Sequence, residues 1–242
     1  MQNRRVNNEA GFSFIELILA MTITITVMGL ASSILAGAFK LRSREDRKSD
    51  AIADVQRALN IMSREISNSG LKLPTGLNAV STNGVVGGDS DKLAIRIVSN
   101  LNGMPDSANG YFEDGDLLDT DEDVKFLMYV DGAQRYIVRY EKNGSNQTTV
   151  LANRVDSLIF RYYDKKVTYD TTVDADGVCD ITNVKNASDT TESEVPPGSA
   201  KFVVIAVGVT LPAVGTKGVE GYQPPYQVQL TSDVTLRNAI VY

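Results

Sequence analysis

The sequence predicts an α+β fold: a long N-terminal α-helix, membrane-spanning in its first half and amphipathic in its second, packed on an antiparallel β-sheet head. Three patterns carry that reading. Residues 12–39 form an apolar run in which Glu16 is the only charge. Ile52, Val55, Leu59, Met62 and Ile66 then recur at spacings of 3, 4, 3 and 4, one stripe on a continuing helix. Beyond Leu77 the pattern changes to short alternating segments separated by turn residues.

As a helix the run 12–39 spans about 42 Å, more than the roughly 30 Å hydrocarbon core, so it can cross a bilayer with room for tilt. Thr22, Thr24, Thr26, Ser32 and Ser33 can return their hydroxyls to the helix backbone, which keeps them compatible with lipid or with a packed helical bundle. Gly29 and Gly37 read equally well as points of close helix approach and as ordinary small residues. Residues 40–69 form the amphipathic part, with Arg44, Asp54, Arg57, Arg64 and Glu65 on its polar faces. Two heptads are too few to favour a coiled coil over packing on a globular domain. Ser69-Gly70 and then Pro74 give the stop.

The head, 70–242, reads as one domain by length. In one candidate strand Leu93, Ile95 and Ile97 alternate with Ala94, Arg96 and Val98. Segments 124–130 and 134–140 flank Asp131-Gly132, a tight-hairpin signal. Segments 148–152, 155–163, 201–210 and 226–237 add further strands, with Leu158, Phe160 and Tyr162 sharing a face. The acidic, Gly-rich and Ser/Thr-rich stretches 102–123 and 168–198 read as long loops.

Glu16 is the residue that asks for a chemical explanation. A carboxylate near one end of a lipid-facing helix costs several kcal/mol unless it meets a partner. The segment before it is short and polar, carries Arg4 and Arg5, and ends in Gly11. No Ala-x-Ala-type site follows the apolar run, unlike an ordinary secretory signal. Cleavage after Gly11 would make Phe12 a new amino terminus, with an α-amine one helical turn from Glu16.

Gly11-Phe12-Ser13-Phe14-Ile15-Glu16-Leu17, with a basic leader before it and an unbroken apolar helix after it, resembles the type III leader and N-terminal segment of type IV pilins and of the pseudopilins of type II secretion. The resemblance covers about the first 60 residues and implies a set of roles. Residues 1–11 would be a leader removed by an inner-membrane prepilin peptidase. Phe12 would be N-methylated, and Glu16 would pair with the terminal amine of an adjacent subunit entering a filament. A weaker resemblance runs through 155–164, 200–207 and 232–238, which look like the order of segments in PilW-type minor pilins and J-type minor pseudopilins. The function so implied is that of a minor type IV pilin-like subunit supporting filament assembly or its tip. A minor pseudopilin of a type II secretion pseudopilus and a membrane-anchored adhesin or ligand-binding module are the alternatives. Implied partners are other pilins or pseudopilins, the prepilin peptidase and the inner-membrane assembly platform. The implied location is single-pass in the inner membrane with a periplasmic head, then a filament. Lys40, Arg42, Arg44, Arg47 and Lys48 outnumber Arg4 and Arg5, so a count of flanking charges alone would put the head in the cytoplasm. The leader resemblance overrules that count, and Glu45, Asp46 and Asp50 dilute the basic cluster.

Other function classes fare worse. A net charge of −6 argues against nucleic acid as a partner. The chain has no histidine, which removes the Ser/His/Asp and Cys/His systems and the commonest proton shuttle, and it has no Walker-type phosphate loop. Asp114 and Asp116 sit in an acidic loop rather than in the apolar pocket that would tune a catalytic carboxylate. No catalytic residue and no enzyme activity is therefore expected. Cofactors are expected to be absent, with one qualification. Asp174, Asp176 and Asp180, around Gly177, resemble part of an oxygen-rich calcium loop, against which stands a solvated acidic turn. Asp114, Asp116, Asp119, Asp121 and Asp123 form a second, less specific acidic cluster. Cys179 is the only cysteine, so no intrachain disulfide can form, and it reads as incidental in a polar loop.

Overall fold

In the computed structural model the described residues are 13–73, 83–86, 93–101, 120–143, 147–174, 178–219 and 222–239. One helix, α1 (Phe14–Ser67), takes the N-terminal end of that set and runs 54 residues without a break. No proline interrupts it, and a Cβ added at Gly29 or Gly37 would meet nothing within 4 Å. The amphipathic half and the apolar half are therefore one rod, about 80 Å long.

The rod ends where its backbone is handed to the sheet. Asn68 caps it, and Gly70, at φ +77°, turns the chain so that its N–H donates to the Val98 carbonyl at 2.9 Å. That crossing is tight: a Cβ on Gly84 would lie 2.0 Å from the Gly70 nitrogen. The Ser69-Gly70 stop expected from sequence thus falls two residues late for the helix itself, and Gly70 serves the turn that follows.

Five strands form an antiparallel meander in chain order: β1 (Val85–Val86), β2 (Ala94–Val98), β3 (Asp123–Asp131), β4 (Gln134–Glu141) and β5 (Thr148–Asn153). A second antiparallel sheet has the order β10-β9-β6, from β6 (Ser157–Tyr163), β9 (Phe202–Leu211) and β10 (Tyr226–Thr235). A separate hairpin pairs β7 (Thr168–Val173) with β8 (Cys179–Lys185). The β3–β4 turn is Gly132-Ala133, because Asp131 pairs with Gln134, and of these two only Gly132 has a positive φ, +59°. The sequence signal was right in kind and one residue early.

α1 bridges the two sheets, touching β5 at the edge of the meander and β10 at the edge of the three-stranded sheet. Val55, Ala58, Leu59, Met62 and Ile66 bury against Ile95, Phe126, Ile137, Leu158, Phe160, Val203, Ile205 and Val207 in one continuous core. Leu158, Phe160 and Tyr162 do share a face, and that face is the core. Ala58 completes the helix stripe; its small side chain hid it from the periodicity of the larger residues.

β9 is wedged between two layers, which explains its unbroken run of apolar residues. Val203, Ile205, Val207 and Val209 face α1, while Phe202, Val204 and Ala206 face the β7–β8 hairpin with Tyr163, Val167 and Ile181. The expectation of a single loop over 168–198 is therefore corrected. Its strands carry few large apolar groups, chiefly Tyr169, Cys179, Ile181 and Val184, in no regular alternation, so its composition resembled a loop.

Candidate functional site

Two features of the structure concern function: the bare half of α1 and the contacts that seat the other half. From Phe14 to Ser43 no side chain is buried, and Phe14 (78%), Ile34 (74%) and Ile25 (67%) are largely exposed. Among the described residues this is the one helix long and apolar enough to cross a membrane. Its threonines are satisfied locally. Thr22, Thr24 and Thr26 donate their hydroxyls to the carbonyls of Leu19, Ala20 and Thr22 at 2.9, 2.7 and 2.8 Å, as their positions in an apolar helix require.

Glu16 lies in the first turn of α1, where the helix dipole favours a negative charge. Its Oε2 accepts the Ser13 N–H at 3.0 Å, the backward half of a capping box. The carboxylate therefore has a local role in starting the helix besides any partner beyond the chain. Gly11 and Phe12, the expected cleavage pair, lie outside the described residues.

The seat of α1 on the head has polar clasps at both ends and, between them, an apolar stripe with one hydroxyl pair beside it. At the lower end Arg44 donates to Gln223 Oε1 at 2.6 Å and to the Pro224 carbonyl at 3.1 Å, and Lys48 Nζ stands 5.4 Å from the centre of the Tyr226 ring. Midway, the hydroxyls of Ser63 and Ser232 are 2.7 Å apart. At the upper end Asn238 Nδ2 donates to the carbonyls of Asn68 and Ser69 at 3.2 and 2.9 Å, and Ser69 Oγ donates to the Asn83 carbonyl at 2.9 Å. Asn83 Nδ2 in turn donates to Pro197 and Ala200 at 2.7 and 2.9 Å, so the helix end is tied to three distant segments.

Arg139 on β4 completes the upper seat. Its Nε donates to both Glu65 oxygens, at 3.2 and 2.9 Å, its Nη2 pairs with Asp121, and Nη1 lies 3.7 Å from Glu141. Burial works against its charge, and the bonds from Glu65 and Asp121 more than offset it, leaving its pKa above the ordinary arginine value. The cleft beside it, about 220 Å³, is lined by Arg64, Glu65, Ile97, Ser99 and Asp121. This charge network was not legible in sequence, because its members stand on α1, β4 and the segment before β3.

The acidic clusters resolve into ion pairs where they are described. Asp121 binds Arg139, and Asp123 takes a bidentate contact from Arg96, with Nε at 2.6 Å. Asp114, Asp116 and Asp119 lie outside the described residues, as does Asp176. Asp174 closes a turn, its Oδ1 accepting the Val178 N–H at 2.8 Å. Asp180 pairs with Arg161, which also binds Glu194. Asp174 and Asp180 are thus separately engaged, and among the described residues no three His, Cys, Asp or Glu side chains converge as metal ligands.

Comparison of the chain with protein-family models, with curated proteins and with solved structures finds no match.

Cys179 corrects a sequence expectation. It is fully buried at the start of β8, and its backbone N–H donates to Ser157 Oγ at 3.0 Å. Burial pushes its thiol pKa up, with the Ser157 hydrogen bond acting the other way. Directly beneath it lies Gly208 of β9, where an added Cβ would come within 2.4 Å of the sulfur and 2.5 Å of Ser157 Oγ. The cysteine is a packing residue that lets the hairpin close on β9, and Gly208 is the glycine that makes room for it.

Proposed function

We propose that this chain is a minor type IV pilin-like subunit: anchored in a bacterial inner membrane by residues 12–39, cut after Gly11 by a prepilin peptidase, N-methylated at Phe12, and drawn into a filament with its head outside the membrane. The observation that carries the reading is the unbroken α1, bare and apolar from Phe14 to Phe39 with Glu16 as its only charge, then seated on a β head through Val55, Ala58, Leu59, Met62 and Ile66. A rod of this kind offers neighbouring copies an apolar surface that can exchange lipid contact for helix contact. The head meanwhile stays folded on the other half, so movement between membrane and filament leaves its core untouched.

In such a bundle Glu16 serves as a register device. Pairing with a terminal amine of an adjacent subunit neutralises two groups that would each be costly inside an apolar bundle, and only one axial offset brings them together. Its capping bond to Ser13 uses one oxygen, and the carboxylate has acceptor capacity beyond that bond.

The deciding experiment combines two variants. Gly11→Ala is expected to accumulate as an unprocessed precursor by intact-mass measurement; finding residues 1–11 removed from it as in the unaltered chain would refute the leader assignment. Glu16→Val is expected to insert normally in the membrane and to be lost from sheared filaments; incorporation equal to that of the unaltered chain would refute the pairing.

A further inference from the structure

The contacts between α1 and β10 fix how the head stands relative to the bare half of the helix. Tyr226 meets Lys48, Ser232 meets Ser63, and Asn238 meets Asn68 and Ser69. From Lys48 to Ser63 the helix rises about 22 Å, and from Tyr226 to Ser232 the strand advances about 20 Å. β10 therefore runs alongside α1 in the same direction. The β9–β10 connection, which precedes Tyr226, consequently points toward the apolar half of the helix.

Its height follows from the Arg44 clasp. Gln223 and Pro224 are held at Arg44, and Arg44 is about 7 Å along the axis from Phe39, the end of the apolar run. The polar headgroup layer of a bilayer is itself about 5 to 7 Å deep on each side. The connection beyond the Val214–Gln223 bridge thus reaches the level at which α1 would leave the hydrocarbon.

Its chemistry suits that level. Val219 is 60% exposed, Tyr222 is half-buried, and Lys217 and Pro225 are exposed, with Tyr226 one step higher beside Lys48. Amphipathic tyrosines and snorkelling lysines are what interfacial segments carry. Lys217 and Glu220 balance each other in the sequence, so the cationic side of a lipid contact comes from the helix. There Lys40, Arg42 and Arg47 are exposed, and 40–50 carries five basic against three acidic residues. Anionic headgroups are the complementary surface.

We propose that the described part of the β9–β10 connection, residues 214–219 and 222–225, is a foot that rests on the bilayer surface, with Val219 and Tyr222 entering the headgroup layer beside the basic collar of α1. The contact would fix the tilt of the head over the membrane before assembly and would have to be broken when the subunit is extracted. It rests on the membrane-anchored reading above, and it makes the lipid surface a partner of the head as well as of the helix.

The test uses the full chain in vesicles of phosphatidylethanolamine and phosphatidylglycerol, with an environment-sensitive fluorophore on one introduced cysteine at a time. The buried Cys179 stays in place, and the unaltered chain is the labelling control. Probes at Val219→Cys, at Ile25→Cys in the span, and at Leu101→Cys beside the upper end of α1 are compared. Lipids carry a nitroxide at headgroup depth or deep in the acyl chain. The expected result is loss of most Val219 fluorescence to the headgroup nitroxide, loss of Ile25 fluorescence to the deep one, and no loss at Leu101. Quenching at Ile25 with none at Val219 overturns the foot and leaves the anchor standing. A Val219 probe shielded from aqueous iodide but untouched by either nitroxide assigns the loop to a protein neighbour and also overturns it. Quenching at neither Ile25 nor Val219 removes the anchor and the foot together.

Discussion

The two halves of α1 share one backbone and meet opposite fates. From Phe14 to Ser43 every side chain is accessible, whereas Val55, Ala58, Leu59, Met62 and Ile66 are buried beneath the head. Helical hydrogen bonding is the same in both, so the difference lies in what each surface can be matched to. A helix apolar all round has no preferred side to lay on a sheet, and a stripe does. The chain thus separates the part that specifies a folded head from the part that stays free for lipid or for other helices. The join lies at Lys40–Lys48, where charge returns to the helix after Glu16 and the first clasp to the head is made.

The comparison breaks most sharply under cavity-making substitutions. Met62→Ala is expected to cost the head about 2 to 5 kcal/mol, because its side chain is fully buried in the core that the helix shares with both sheets. Ile25→Ala, equally apolar but exposed, should change head stability by less than about 0.5 kcal/mol. Denaturant unfolding of both variants in one detergent measures the contrast, and similar losses would contradict the division of the helix.

Next in size is the upper seat. Arg139→Ala leaves Glu65 and the buried Glu141 without their cation and is expected to cost about 2 to 3 kcal/mol, read by the same unfolding assay. The lower clasp is smaller. Arg44 is only half-buried, so Arg44→Ala should cost under about 1 kcal/mol globally while raising amide hydrogen exchange at Tyr222, Gln223 and Tyr226. Equal global costs at the two ends would mean that the seat is not graded along the helix.

The last effect appears only in alkali. Burial, with the Asp233 hydrogen bond, pushes Tyr169 up to about 12, and burial with the charge of Glu194 pushes Tyr163 to about 12, both from the ordinary 10.0. A phenol kept neutral by folding contributes stability that is complete below pH 10 and is lost as pH rises through about 12. The head, which holds both tyrosines, should therefore weaken over that window by thermal melting. Helicity of the bare half, which has no such group, should persist; tyrosine absorbance titration gives the matching midpoints.

Much of this was readable in residues alone. The apolar run, the stripe from Val55 to Ile66 and the alternation in 93–98 and 155–163 named the helix, its buried face and two of the strands, because burial period is written directly in residue order, while Ile52, at the start of the expected stripe, is only half-buried. The hairpin over β7 and β8 escaped notice for the converse reason. It buries only a few side chains and takes its place from Gly208, a residue in another strand whose missing side chain leaves room for Cys179.

The rest belongs to three dimensions. Asp121, Asp123 and Asp180 look like loose acids in sequence and become partners of Arg139, Arg96 and Arg161 only when strands distant in sequence align. Residue order alone determined that one continuous helix would be greasy throughout its first half and one-sided in its second, since side-chain period and polarity are local properties. Which carboxylate meets which guanidinium, and that the β9–β10 connection hangs beside Arg44 rather than at the far end of the head, depended on strand direction and register. Those are set by packing of the whole core, which no local pattern records.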